Sequence, residues 1–265
     1  MLLHLDHYYT IGKAHTVCED FAMQGDRPTP FIVLSDGCSS SKNTDIGARI
    51  LALTTEHLLV NSPHWPLDYA VFGRELINRA WNVAERMQLD SNVLDATVML
   101  AFLHQDSILV YVYGDGCLLF MDYKGNVGFI EIAFTHNAPY YLTYWHDQER
   151  WQEYARYDNK PLFLMDSVHG RSAPLTFQTP LVFSFDLEKF QKIAISSDGA
   201  AHFVNTFQYT RVPMTEVAEK LMGFREISGE FVKSHLESSL QEWAKEGIYP
   251  LDDLSIGIFV VTKNG

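Results

Sequence analysis

Acidic residues follow short apolar runs at five widely separated places in this sequence. They are Glu19-Asp20, Asp36, Asp115, Asp198 and Asp252-Asp253. Each apolar run is typical of a β-strand, so the carboxylates stand at strand ends, where distant segments of a chain can meet. Several carboxylates at one edge of a sheet repel one another unless a hard divalent cation lies between them. The pattern therefore predicts a metal site.

Three of these acids belong to Asp-Gly pairs, which are also a strong signal for a tight β-hairpin. The pairs begin at Asp36, Asp115 and Asp198. The pairs at Asp36 and Asp198 read Ser-Asp-Gly and are followed by small residues and a helical pattern. Because no second strand follows directly, this context favours the metal site over a hairpin.

Composition and charge limit the class of protein. The chain has 265 residues, 47% of them hydrophobic, which is enough for one large core, so we predict a single domain over residues 1–265. The net charge of −13 argues against nucleic acid or an anionic membrane as a partner. The N-terminus lacks the features of a signal peptide, and no apolar run has membrane-spanning length. Three cysteines without CxxC spacing indicate a reducing compartment, and we expect a cytoplasmic protein.

The hydrophobic periodicity changes in blocks along the chain. Strand patterns open and close the sequence, and a β-meander is predicted between residues 108 and 134. Helix pairs are predicted at 43–59 with 66–89, the latter starting at Pro66, and at 214–222 with 230–244. This order lacks regular βαβ alternation, so it favours an antiparallel α+β fold over a doubly wound parallel sheet.

Six short segments together resemble the signature blocks of the metal-dependent type 2C (PPM) protein phosphatases. They read CEDFA at 18–22, VLSDG at 33–37, DATV at 95–98, YGDG at 113–116, ISSDG at 195–199 and DDLSI at 252–256. Each block is weak alone, but their order and spacing over nearly the whole chain make the match specific. The resemblance implies a four-layer α-β-β-α sandwich, in which two antiparallel sheets are flanked by helix pairs.

The resemblance also implies ligands for two metal ions, Mg²⁺ or Mn²⁺. Asp36 would bridge the two ions. Asp198 and Asp252 would complete the ligands of the first ion, and Glu19 with the carbonyl of Gly37 would bind the second.

Two further acids receive roles from the same resemblance. Asp20 would orient a metal-bound water, and Asp115 would hold a weaker third ion together with Asp198. The implied reaction is hydrolysis of phosphoserine or phosphothreonine in a phosphorylated protein by direct attack of a metal-bridging hydroxide. Two adjacent cations lower the pKa of such a water and neutralise the charge of the phosphate. No covalent phosphoenzyme is expected, and a monomer is favoured.

One position departs from the family pattern. Members usually carry an Arg four residues before the Glu of the Glu-Asp pair, where its guanidinium can clamp the substrate phosphate. Here that residue is His15, which is our leading candidate for the phosphate contact, with Lys13 and Arg49 as substitutes. The missing Arg also supports an alternative, a catalytically weak relative that binds a phosphoprotein or a regulatory partner. The retained carboxylates argue against that alternative.

Residues 135–180 depart most from the family pattern. The segment is rich in Tyr and Trp amid charged residues. It is either an aromatic cover over a sheet edge or a flap beside the site that selects substrate or partner. If it roofed the site and excluded peptides, a hydrolase of small phosphate esters would be favoured instead.

Overall fold

The computed structural model describes residues 2–62, 66 and 68–262, and it contains antiparallel strands and helices. The strands are β1 (Leu2–Thr10), β2 (Asp20–Gly25), β3 (Phe31–Asp36), β4 (Val98–His104), β5 (Ser107–Tyr113), β6 (Gly116–Asp122), β7 (Val127–Phe134), β8 (Leu162–Asp166), β9 (Gly170–Arg171), β10 (Leu181–Asp186), β11 (Phe190–Ser196), β12 (Phe203–Asn205), β13 (Thr210–Arg211), β14 (Ile248–Pro250) and β15 (Leu254–Thr262). The helices are α1 (Thr44–Asn61), α2 (Tyr69–Arg86), α3 (Thr143–His146), α4 (Gln148–Tyr157), α5 (Met214–Leu221) and α6 (Phe231–Lys245).

The strands form two large sheets and one small one. The seven-stranded sheet has the order β1-β15-β11-β6-β7-β8-β9, and the five-stranded sheet has the order β10-β5-β4-β3-β2. A third sheet, β13-β12-β14, was not predicted from the sequence. Neighbouring strands pair antiparallel. The predicted α+β class with antiparallel sheets is confirmed.

The buried hydrophobic side chains of the strands and helices form three clusters. In β3, Ile32 and Leu34 belong to a cluster that also takes side chains from the seven-stranded sheet, whereas Phe31 and Val33 pack with α1 and α2. A third cluster joins the seven-stranded sheet to α5 and α6. Successive strand residues point to opposite faces, so an uninterrupted apolar strand such as β3 packs on both sides.

Helix α2 shows why the predicted starting point of this helix was wrong. The helix begins at Tyr69, and Asp68 is its N-cap, with its side chain accepting hydrogen bonds from the backbone N–H groups of Ala70 and Val71. Pro66 lies before the helix, and residue 67 is outside the described residues. An Asp side chain satisfies the free N–H groups of the first turn, so the cap fixes the helix start more directly than the proline does.

The predicted β-meander is also wrong at Asp115. Strand β5 lies in the five-stranded sheet and β6 in the seven-stranded sheet, so the chain crosses between the sheets at this acid. Gly116, with φ of 132°, adopts a backbone conformation that side chains disfavour, and this allows the change of direction. The hairpins on either side, β4-β5 and β6-β7, are each confined to one sheet.

The segment after Asp198 likewise differs from the expected direct entry into a helix. A short 3-10 turn, Asp198–Ala201, leads into the hairpin β12-β13, and α5 begins only at Met214. Within the described part of the chain, no helix has the length and apolar character needed to cross a membrane.

Candidate active site

Strand ends from both large sheets converge on one group of acids. Asp20 and Asp36 face each other in the register of β2 and β3. Asp115 lies at the crossover between the sheets, Asp198 directly follows β11, and Asp252 precedes β15. Because β11 and β15 are neighbours, their ends bring Asp198 and Asp252 to the same edge.

A cavity of about 170 Å³ is lined by five of the six predicted metal ligands. These are Asp36, Gly37, Asp115, Asp198 and Asp252. Glu19 lies beside the cavity, where its Oε1 accepts a hydrogen bond of 2.7 Å from the Thr44 hydroxyl. The structure therefore brings the six predicted ligands into one neighbourhood.

Asp20 lies beneath this cavity and is fully buried. Its Oδ2 accepts a 2.7 Å hydrogen bond from the Ser197 hydroxyl, while its Oδ1 is buried and has no hydrogen-bond partner among the described residues. Burial raises the pKa of Asp20 to about 7, and the nearby carboxylates Asp253 and Asp198 add to the rise. An unpaired buried carboxylate oxygen is costly, so it calls for a donor or a cation in the cavity.

The pKa values of the cavity acids are raised as well. Loss of solvent is the largest cause for Asp36, Asp115 and Asp198, and mutual repulsion adds to the rise for each of them. Carboxylate and carbonyl oxygens are the ligands that Mg²⁺ and Mn²⁺ accept, and a cation would remove the repulsion. The donor set thus fits the divalent ions that the sequence predicts.

These raised pKa values predict an unusual pH dependence for the protein after chelation of metal. Between about 4, near the pKa of an unfolded Asp, and the folded value of about 7, Asp20 keeps a proton in the folded state that it releases on unfolding. The free energy of unfolding in EDTA should therefore fall as pH rises through this window. Excess Mn²⁺ should abolish or reverse the trend. Urea titrations at several pH values test this, and equal slopes with and without metal would contradict it.

Asp253 is a strand-end acid to which the sequence assigned no role of its own. Its side chain is buried and accepts hydrogen bonds from the backbone N–H groups of Gly12, at 2.7 Å, and Glu19, at 2.6 Å. It therefore ties the segment that carries Glu19 to the start of β15. The only signal in the sequence was its place beside Asp252 at a strand start.

Gly199 allows the turn after Asp198 to approach this same region. A Cβ atom at residue 199 would lie 1.9 Å from the backbone oxygen of Asp253, which is too close for any side chain. Glycine is therefore required where the Asp-Gly pair packs against the Asp252-Asp253 segment.

Two histidines contact the acids. His15 Nε2 lies 3.0 Å from Asp252 Oδ1, and His15 Nδ1 lies 3.5 Å from Asp253 Oδ2. His202 Nδ1 lies 3.4 Å from Asp198 Oδ2 and 3.7 Å from Asp252 Oδ2. The sequence analysis singled out His15 but missed His202, whose only signal was its position four residues after Asp198.

The other two candidates for the phosphate contact are held by different partners. The Lys13 ammonium lies 3.3 Å from the centroid of the Tyr249 ring. Arg49 donates a 2.6 Å hydrogen bond to the backbone oxygen of Asp45. Of the three candidates, His15 is the one that contacts the acid group.

The aromatic segment at 135–180 contributes one wall of the cavity. Asn137, Pro139 and Tyr141 line it, and the ring of Tyr141 stacks with that of Tyr144. Other rings of the segment pack against the cluster between the two large sheets. The segment therefore covers the core and also lines the site, while selection of substrate or partner by it stays a prediction.

A buried ionic network anchors this segment to the loop after Gly37. The carboxylate of Asp95 is 3% exposed and accepts two hydrogen bonds of 3.0 Å from the Arg150 guanidinium. It also accepts hydrogen bonds from the hydroxyls of Thr143, in α3, and Ser41. The network links α3 and α4 to the loop that follows the predicted Gly37 ligand.

Removal of the arginine from this network should destabilise the protein. Arg150→Met should lower the free energy of unfolding by about 2 kcal/mol, because Asp95 loses its cation while still buried. This value is below that usual for breaking a fully buried ion pair, because a quarter of the Arg150 side chain is exposed and solvent weakens the pair. Urea unfolding of this variant is compared with Arg156→Met, a control at an exposed position of the same helix. Equal stability of the two variants would contradict the assignment.

Comparisons with known proteins give a consistent result. The family profile described as protein phosphatase 2C matches residues 12–243. No curated protein sequence matches significantly.

Solved structures show the same fold at low sequence identity. A bacterial serine phosphatase matches with a TM-score of 0.61 and 11% identity, with full coverage of both chains. The phosphatase Stp1 from Staphylococcus aureus matches with a TM-score of 0.60 and 10% identity, over 99% of this chain and 96% of the other. The catalytic domain of PstP, solved in complex with two manganese ions, matches with a TM-score of 0.54 and 12% identity, over 98% and 99% of the chains.

Proposed function

This chain belongs to the protein phosphatase 2C family, and we propose that it hydrolyses phosphoserine or phosphothreonine in proteins with the aid of divalent cations. The observation that carries the proposal is the convergence of four family-pattern aspartates on one cavity. The structural relative PstP was solved with two manganese ions, which supports a two-ion site. We propose a single catalytic domain that acts as a monomer in the cytoplasm.

The proposed ligands divide into two overlapping sets. Asp36 serves both ions, with Asp198 and Asp252 on the first, and Glu19 and the Gly37 carbonyl on the second. When bound, the ions would supply a water nucleophile of lowered pKa and neutralise the charge of the phosphate.

Asp115 and Asp198 together are the proposed ligands of a weaker third ion. Both carboxylates line the cavity.

Asp20 is the proposed residue that orients the attacking water. The Ser197 hydroxyl fixes one carboxylate oxygen of Asp20, which leaves the unpaired Oδ1 to accept a hydrogen bond. A carboxylate held in one orientation by a buried donor can align a water without having to reorganise during the reaction.

His15 is the proposed phosphate contact on the protein side. Its ring borders a second cavity, of about 320 Å³, which shares Asp252 and Asn137 with the acid cavity. A phosphate group placed between the two cavities would be within reach of the imidazole. To contact a phosphate, His15 has to leave or share its contact with Asp252. Its contribution to phosphate binding should therefore be weaker than that of a free guanidinium.

The test is a comparison of a phosphothreonine peptide with an aryl phosphate, each in Mn²⁺, Mg²⁺ and EDTA. We expect turnover of the peptide with metal and none with EDTA. Absence of hydrolysis with either ion would overturn the proposal and favour the catalytically weak relative. Turnover of the aryl phosphate without the peptide would indicate a hydrolase of small esters.

A further inference from the structure

The imidazole of His202 lies among the acids in a position that hydrogen bonding does not explain. About a third of its side chain, 34%, is exposed, but its Nδ1 atom is buried and lacks a hydrogen-bond partner among the described residues. This nitrogen is 3.4 Å from Asp198 Oδ2 and 3.7 Å from Asp252 Oδ2. Hydrogen bonds to a carboxylate are usually below about 3.2 Å, so neither contact satisfies the nitrogen.

The same distances suit three ligands around one ion. Adjacent ligands of an octahedral ion, each about 2.1 Å from the metal, lie about 3 Å apart. The ligand atoms of Asp198, His202 and Asp252 all lie within 4.8 Å of one another, so small movements would close them around a cation. An ion would also give the unpaired nitrogen its missing partner.

The backbone holds these three residues in place. His202 ends the 3-10 turn that starts at Asp198, and its N–H donates to the Gly199 oxygen at 3.1 Å. Its own carbonyl accepts a 3.1 Å hydrogen bond from the N–H of Leu251, the residue before Asp252. The backbone of His202 thus joins the turn to the segment before the last strand, and these two hydrogen bonds hold the residue beside Asp198 and Asp252.

We propose that His202 Nδ1 is a ligand of the ion held by Asp198 and Asp252, and that it makes the site select Mn²⁺ or another transition-metal ion over Mg²⁺. Mg²⁺ favours oxygen ligands throughout, whereas transition-metal ions accept imidazole readily. The inference deepens the proposed function and rests on it for the presence of an ion at these acids.

Nuclear magnetic resonance of ¹⁵N-histidine-labelled protein tests the ligand directly. At saturating Zn²⁺, a diamagnetic ion that accepts imidazole, one Nδ1 resonance should move to a metal-bound chemical shift. That resonance should be missing in His202→Asp, which offers oxygen in place of nitrogen. Failure of any Nδ1 resonance to move, or survival of the moved resonance in His202→Asp, would overturn the proposal.

Calorimetry without substrate tests the selectivity. The ratio of Mg²⁺ to Mn²⁺ dissociation constants should fall about tenfold in His202→Asp relative to the wild type. His169→Asp is the control, because His169 also lies beside an Asp but its side chain is 82% exposed. An unchanged ratio in His202→Asp would overturn the selectivity. No substrate is present in this measurement, so it does not depend on catalysis. If the ratio fell as predicted but the wild type showed no phosphatase activity, that result would count against the proposed function alone.

Discussion

Asp36→Asn should lower kcat for phosphopeptide hydrolysis by about a thousandfold, which is the largest effect that we expect from any single substitution. Asp36 faces Asp20 across the strand pair and lines the acid cavity with Asp198. In the proposed site it serves both ions, so loss of its charge weakens both at once. The amide is nearly the same size as the carboxylate, so the fold should persist. Steady-state kinetics at saturating Mn²⁺ measure the change.

The matched control for this substitution is Asp26→Asn. Asp26 is exposed and directly follows Gly25, the last residue of β2, whereas Asp20 is the first residue of that strand. It undergoes the same chemical change and should retain full activity. If Asp36→Asn kept more than about a tenth of the control's kcat, the bridging role would be wrong, since loss of a shared ligand should cost several kcal/mol in the transition state.

Asp253→Ala should have the second largest effect, on stability and activity together. Its carboxylate accepts short hydrogen bonds from the backbone N–H groups of Gly12 and Glu19, and its loss leaves both donors without their acceptor. We expect the free energy of unfolding to fall by about 3 kcal/mol. kcat/KM should fall about a hundredfold, because Glu19 is no longer positioned and a small displacement is costly.

Asp253→Asn separates the two effects. The amide keeps one acceptor oxygen, so part of the stability should return. Urea unfolding and steady-state kinetics are measured on both variants. An alanine variant as stable as the wild type would show that Asp253 does not hold the Glu19 segment.

The convergence of the acids could be predicted because it depends on local patterns. Each acid follows an apolar run, and the strand assignment of such a run needs only its neighbours in sequence. The packing of β3 on both faces also follows from its unbroken apolar sequence.

The crossover at Asp115 and the role of His202 could not be predicted in this way. A strand, an Asp-Gly pair and another strand read locally as a hairpin, and only pairing with distant strands places β5 and β6 in different sheets. His202 becomes a candidate ligand only when the fold brings Asp252 beside it. A histidine four residues after an aspartate is a common spacing, so by itself it does not indicate a metal ligand.

The most direct test of the metal site is the anomalous scattering of crystals grown with Mn²⁺. We predict two peaks that flank Asp36, one within ligand distance of Asp198 and Asp252 and the other near Glu19 and the Gly37 carbonyl. Ligand distance for such ions is about 2.1 to 2.4 Å. Crystals saturated with Mn²⁺ that show no anomalous peak beside Asp36 would contradict the account.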